Sequence, residues 1–191
     1  MQPAFFADQT FNGINYTNEF LPAGEYDNCI FIGCEFSHCD LSEIKFLECT
    51  FTGCNMSLCK MLNTVFIDAV FKDCKMLGLH FENCADFRLS FHFENCILNH
   101  SSFYKTKIKK TVFSQTVLHE VDFTECDLTG ATFSHCDLLD AHFEKTILEK
   151  ADLTTAHNYT INPQINSIKK AKFSLPEVVG LLTQYDIHIQ H

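Results

Sequence analysis

Residues 29–53 read CIFIG CEFSH CDLSE IKFLE CTFTG, and residues 54–78 continue as CNMSL CKMLN TVFID AVFKD CKMLG. Each block of five opens with a small or apolar residue and carries a large apolar one in third place, the centre. The centres are Phe31, Phe36, Leu41, Phe46, Phe51, Met56, Met61, Phe66, Phe71, Met76 and Phe81. A second run in a shifted frame holds Phe93, Leu98, Phe103, Ile108, Phe113, Leu118, Phe123, Leu128, Phe133, Leu138, Phe143, Leu148 and Leu153. Self-similarity at a fixed period decides the architecture before any local propensity does.

A period of five fits neither regular element. On an α-helix a step of five turns by about 500°, so successive centres drift around the barrel by roughly 140°. On a flat strand side chains alternate, so an odd step sends each centre to the opposite face. The centres stay on one side only if each block makes a short extended face and then turns a corner, so that the chain coils with its centres on the axis. The small residue two places before each centre then also points inward, and the other three point out. They are largely polar: around Leu128, Phe133, Leu138 and Phe143 the outward set includes Asp127, Thr129, His135, Asp137, Asp140 and Glu144.

The blocks CDLSE (39–43), CDLTG (126–130), ATFSH (131–135), CDLLD (136–140), AHFEK (141–145) and ADLTT (151–155) resemble the pentapeptide repeat, A(D/N)LXX. The resemblance implies an all-β fold: a right-handed quadrilateral β-helix with one pentapeptide per side and twenty residues per coil. The repeat domain spans 1–173, with an irregular N-terminal cap over 1–24 and a frame shift of two residues near 82–92. There Asp86 falls where a centre belongs, and Phe87 and Phe91 compete for inward places. Residues 174–191 form a second segment. Ser174, Pro176 and Glu177 read as the start of a short α-helix running to about Gln184. Its stripe of Leu175, Val178, Val179 and Leu182, widened by Leu181, either lids the β-helix or pairs two chains. The ending YDIHIQ alternates like a short strand.

Twenty Phe and no Trp describe a core ladder, not an aromatic binding box. All eleven Cys lie two places before a centre or, for Cys84, before the frame position Asp86, so they read as buried small hydrophobes. They show no C-x₂-C pair, and none of the usual nucleophile, phosphate-loop or zinc-protease motifs is present, so neither enzyme activity, metal, cofactor nor small-molecule substrate is expected. A net charge of −10 argues against nucleic acid as a direct partner. No apolar run approaches the ~20 residues of a membrane span, and the N-terminus lacks a basic secretory region, so the expected location is cytoplasmic. Charge is uneven: Lys105, Lys107, Lys109 and Lys110 form a basic patch, and Glu120, Asp122, Glu125, Asp127, Asp137, Asp140 and Glu144 follow as outward acids.

The C-terminal stretch KKAKFSLPEVVGLLTQYDIHI (169–189), with FKDCKMLG (71–78) and FENCILNHSSFY (93–104), resembles the Qnr, MfpA and AlbG group of pentapeptide repeat proteins. That resemblance implies a homodimer formed through the C-terminal ends, here Phe173, Leu175, Val178, Val179, Leu181, Leu182, Ile187 and Ile189. It also implies that the rod imitates B-form DNA through the seven acids and engages DNA gyrase or topoisomerase IV, modulating inhibition by quinolones. The fault here adds two residues, where plasmid Qnr proteins carry projecting loops that matter for protection. The competing expectation is a general interaction scaffold with no topoisomerase target.

Overall fold

The structure is a computed structural model and describes residues 4–185 and 187–190. It is a four-sided parallel β-solenoid of about eight coils. Side one carries a four-stranded sheet of β1 (Ala4–Ala7), β3 (Gly24–Asp27), β5 (Lys45–Leu47) and β7 (Val65–Ile67). Side two carries a nine-stranded sheet of β2 (Thr10–Asn12), β4 (Ile30–Ile32), β6 (Thr50–Thr52), β8 (Ala69–Lys72), β9 (Phe91–Glu94), β10 (Val112–Ser114), β11 (Thr132–Ser134), β12 (Asp152–Leu153) and β13 (Lys172–Phe173). Sides three and four are held by isolated parallel bridges such as Asn55↔Lys75 and Ser102↔Asp122. Partners lie one coil apart, as in Phe31↔Phe51 and Phe113↔Phe133.

The corners explain how a five-residue side closes. The residue two after a centre has positive φ at nearly every corner, from Asn28 (50°) to Asn63 (56°) and Lys150 (60°); Asn83 and Thr155 are the exceptions between Phe31 and Leu153. Left-handed backbone costs an L-residue about 1–2 kcal/mol, and most of these corners are not glycine. Most corner N–H groups are instead held by the next coil, as in Glu48 N–H to the Ile67 carbonyl at 2.8 Å and Lys110 N–H to the Thr129 carbonyl at 3.0 Å. The ladder enforces a conformation that local preference resists.

Inside, the centres stack in columns. On side two Phe31, Phe51, Phe71, Phe93, Phe113 and Phe133 lie ring over ring at 4.8–5.4 Å with interplanar angles of 6–15°. A second aromatic column runs on side one through Phe46 and Phe66; it shifts to side four with Phe81, just before the fault, and continues as Phe103, Phe123 and Phe143. Edge contacts such as Phe113–Phe123 (6.1 Å, 79°) knit the columns together. Ten of the eleven thiols are buried, as the period requires; Cys39 is half-buried because the worn first coil leaves a 260 Å³ cavity beside it, lined also by Phe20 and Leu21. Several thiols donate to a carbonyl of the preceding coil, Cys59 to Phe36 at 3.0 Å and Cys49 to Tyr26 at 3.2 Å. Burial pushes the Cys49, Cys84, Cys126 and Cys136 thiols up to about 12, which leaves them protonated and inert.

The fault is two residues long: Val70 pairs with His92, against Val70 with Thr50. The old frame holds through Ala85, whose N–H donates to the Thr64 carbonyl, so the excess lies between Asp86 and Ser90. Phe91 wins the inward competition at 6 % exposure, Leu89 joins it, and Phe87 stands 69 % exposed. The N-terminal cap is more regular than its composition, since β1 and β2 pair in full register with β3 and β4.

The C-terminal segment corrects two expectations. No α-helix forms. Residues Glu177–Leu181 and Thr183–Tyr185 are 3-10 turns, and Ser174 makes no side-chain cap. The reason is Gly180. Its carbonyl accepts from Ile161 N–H at 3.0 Å, and a Cβ there would overlap the Tyr159 carbonyl, so docking on the last coil overrides helical geometry. Residues 187–190 form no strand, and Asp186, which the alternating reading included, lies outside the described residues, as do residues 1–3 of the cap and His191.

Candidate protein-interaction surface

Position in the quintet decides where each acid projects. Asp122, Asp127 and Asp137 stand one residue before a centre, in three different bridge columns: Ser102–Asp122–His142, Lys107–Asp127–Ile147 and Val117–Asp137–His157. Glu120, Glu125 and Asp140 stand at positive-φ corners. Glu144 follows the centre Phe143. The seven acids therefore all face outward, but they occupy three sides and not one. Glu120, Asp122, Asp137 and Asp140 cluster about the corner between sides three and four. Glu125 and Glu144 flank the next corner, and Asp127 lies on side one.

Five of the seven meet a basic side chain, three a lysine and two an imidazole, mostly from a neighbouring coil. Asp127 Oδ2 is 3.1 Å from Lys109 Nζ, and Glu125 is 3.7 Å from Lys105. Glu120 is 3.3 Å from His100 Nδ1, and Glu144 is 3.9 Å from Lys145. Asp137 sits between two imidazoles, with His119 Nε2 at 2.8 Å and His157 Nε2 at 3.8 Å, and accepts from Asn158 Nδ2 at 2.8 Å. Partial burial opposes ionisation of Asp127, but hydrogen bonds from Thr129 and Lys109 outweigh it and hold the carboxyl below its ordinary range. Burial likewise opposes ionisation of Asp137 and is outweighed by Asn158 and His119. Asp122 and Asp140 have no ion-pair partner among the described residues. The spacing of 18–20 residues between these histidines and the acids is the sequence signal that pairs them.

The expected dimer residues divide. Leu181 is buried on the last coil, and Phe173 packs against Tyr159 at 5.8 Å, so both face the core. Val178 is packed against the core and Leu182 is half-buried. Leu175 is 87 % exposed, and Val179, Ile187 and Ile189 are exposed as well. Ile165 on the last coil and Tyr185 on the terminal segment, which sequence reasoning passed over, are also exposed. No group of three or more His, Cys, Asp or Glu among the described residues could hold a metal ion, and no helix is long and apolar enough to cross a membrane.

Comparison with known proteins places this geometry. A family model described as "Pentapeptide repeat region" matches residues 77–173, and one described as "Pentapeptide repeats (8 copies)" matches residues 29–61. Among solved structures, a trypsin-treated variant of QnrB1, a plasmid-mediated fluoroquinolone resistance protein, matches with a TM-score of 0.71 at 14 % identity, over 100 % of this chain and 93 % of that one. A second trypsin-treated variant gives 0.58 at 16 % identity over 98 % and 100 %, and full-length QnrB1 gives 0.50 at 19 % over 96 % and 100 %. No curated protein sequence matches significantly. At these identities the structural likeness concerns the fold.

Proposed function

Because the chain belongs to the pentapeptide repeat family, we propose that it is a non-catalytic rod that binds a type II topoisomerase, DNA gyrase or topoisomerase IV, in place of duplex DNA, and thereby modulates inhibition by quinolones. The observation that carries this reading is the run of outward carboxylates on consecutive coils. Coils stack about 4.8 Å apart, and duplex DNA carries one charge per about 1.7 Å, so a narrow rod with acids on several corners offers a basic saddle a comparable, uncleavable polyanion. The target itself comes from the resemblance to the Qnr, MfpA and AlbG group. The exposed Leu175, Val179, Ile187 and Ile189 support pairing of two rods end to end, which doubles the length presented.

The unpaired acids are the best handle. Asp122→Lys with Asp140→Lys removes the two carboxylates that have no basic side-chain partner among the described residues. In a supercoiling assay, micromolar protein is expected to shift gyrase or topoisomerase IV activity or its quinolone sensitivity, and the charge-reversed protein to lose the effect. No change with the native protein sinks the reading. If a cellular partner is instead retained by the charge-reversed protein, the rod is a scaffold that uses another face.

A further inference from the structure

We propose that the corner between sides one and two, from the fault to the last coil, is a docking ridge for a short acidic segment of a partner polypeptide, distinct from the acidic surface. The chain has fourteen Lys and Arg. Six of them, Lys45, Lys72, Lys105, Lys109, Lys145 and Lys172, sit in ion pairs. Of the eight that have no ion pair among the described residues, six gather on side one or on this corner: Arg88, Lys107, Lys110, Lys150, Lys169 and Lys170. All six are exposed, and Arg88 is the only arginine of the chain.

Backbone register builds the ridge. Lys110, Lys150 and Lys170 occupy successive positive-φ corners, with Gly130 between the first two. The Cβ position of Gly130 lies 3.6 Å from Lys110 Cγ, so the Lys110 stem lies over Gly130 on the corner that leads to Lys150. Of the carboxylates of this side, Asp127 is held by Lys109 at 3.1 Å and Glu149 accepts from Ser167 Oγ at 3.0 Å, while Asp86 stands exposed at the fault end, two residues before Arg88. The corner lies diagonally across the section from Glu120 and Asp140. A separation of a rod width exceeds the ~8–10 Å Debye length, so the two corners act as separate fields.

The length of the ridge selects its occupant. From Arg88 to Lys170 is four coils, or about 19 Å, which an extended peptide covers in about six residues. Above the fault the same corner changes sign and carries Asp8, Asn28, Glu48 and Asp68. At the junction a 290 Å³ cavity opens between Asp68 and Ser90 on one lip and Lys109 and Lys110 on the other. A long straight polyanion such as duplex DNA laid on this corner would run onto those acids and meet the −10 net charge of the whole chain. A short Asp/Glu-rich segment centred on Lys110, Lys150 and Lys170 stays clear of Asp8, Glu48 and Asp68.

The test is fluorescence anisotropy with a labelled octapeptide of Asp and Glu, its Asn/Gln counterpart and a labelled DNA duplex. The acidic peptide is expected to bind in a salt-sensitive manner, the neutral peptide not to bind. Lys110→Glu, Lys150→Glu and Lys170→Glu together are expected to weaken binding at least about tenfold, consistent with a ridge of local charge. Lys60→Glu with Lys75→Glu, which reverses unpaired lysines elsewhere, is expected to leave it intact, as is Asp122→Lys with Asp140→Lys. Circular dichroism checks folding, and a triple Lys→Gln protein replaces the Glu variant if that one unfolds. Absence of peptide binding at millimolar concentration, equal losses in the ridge and control variants, or tighter binding of the duplex than of the peptide overturns the proposal. Because the readout contains no topoisomerase, its outcome is independent of the supercoiling assay.

Discussion

Phe91 occupies a place that the repeat reserves for a small residue, two before the centre Phe93. It is tolerated there because the fault has removed the centre of side one, and the ring fills that gap, 5.6 Å from Phe66 and 5.1 Å from Phe81. Phe91→Ala is therefore expected to cost about 3–5 kcal/mol, seen as a lower denaturant midpoint; a loss below about 1 kcal/mol would mean that Leu89 and its neighbours close the space. Asp127 shows the outward counterpart. Its carboxyl is held below the ordinary range, so the folded state gains from the ionised form above the unfolded value near 3.9. Asp127→Asn should lower stability at neutral pH by about 1 kcal/mol. That difference should fade as the pH falls from about 3.9 through the depressed folded value, and a difference that persists in acid would assign the effect to packing.

At the level of elements, the two sheets have different fates. The sheet of β1, β3, β5 and β7 ends at the fault, while that of side two crosses it and joins the halves through β8 and β9. The aromatic column that leaves side one resumes on side four, with Phe91 between the two. The terminal segment is an element defined by contact and not by propensity. Ser174, Pro176 and Glu177 spell a helix start, yet the segment is too short to gain from helix propagation alone, and Gly180 must lie flat on Tyr159. Gly180→Ala should lift it from the last coil, with faster amide exchange at Ile161 and a loss of about 1–3 kcal/mol; unchanged protection at Ile161 would show that the segment only rests on the coil.

For the whole molecule, the two ends differ. The C-terminal end is closed by the 3-10 segment, whose outer surface is apolar through Leu175, Val179 and Ile187. If two rods pair there, Leu175→Asp with Val179→Asp should halve the mass measured by light scattering while leaving the circular dichroism spectrum unchanged. An unchanged mass would assign these residues to the lid alone. Over the rod, charge is arranged by corner: acids about sides three and four, unpaired cations on the opposite corner of the second half, and internal pairs between coils elsewhere.

Much of this was legible in the residues alone. The five-residue period placed nearly every centre and thiol inside and all seven acids outside, because a side chain's direction in a coil depends only on its place in the quintet. It also located the fault, since a slip of frame leaves a polar residue, Asp86, where a centre belongs. What the period could not determine was anything set by neighbours one coil away: that Phe91 and not Phe87 fills the gap, that His119 and His157 flank Asp137, and that Gly180 makes a 3-10 turn of an apparent helix. Those contacts join residues about twenty apart, and their geometry exists only once the ladder of hydrogen bonds has fixed each coil on the next.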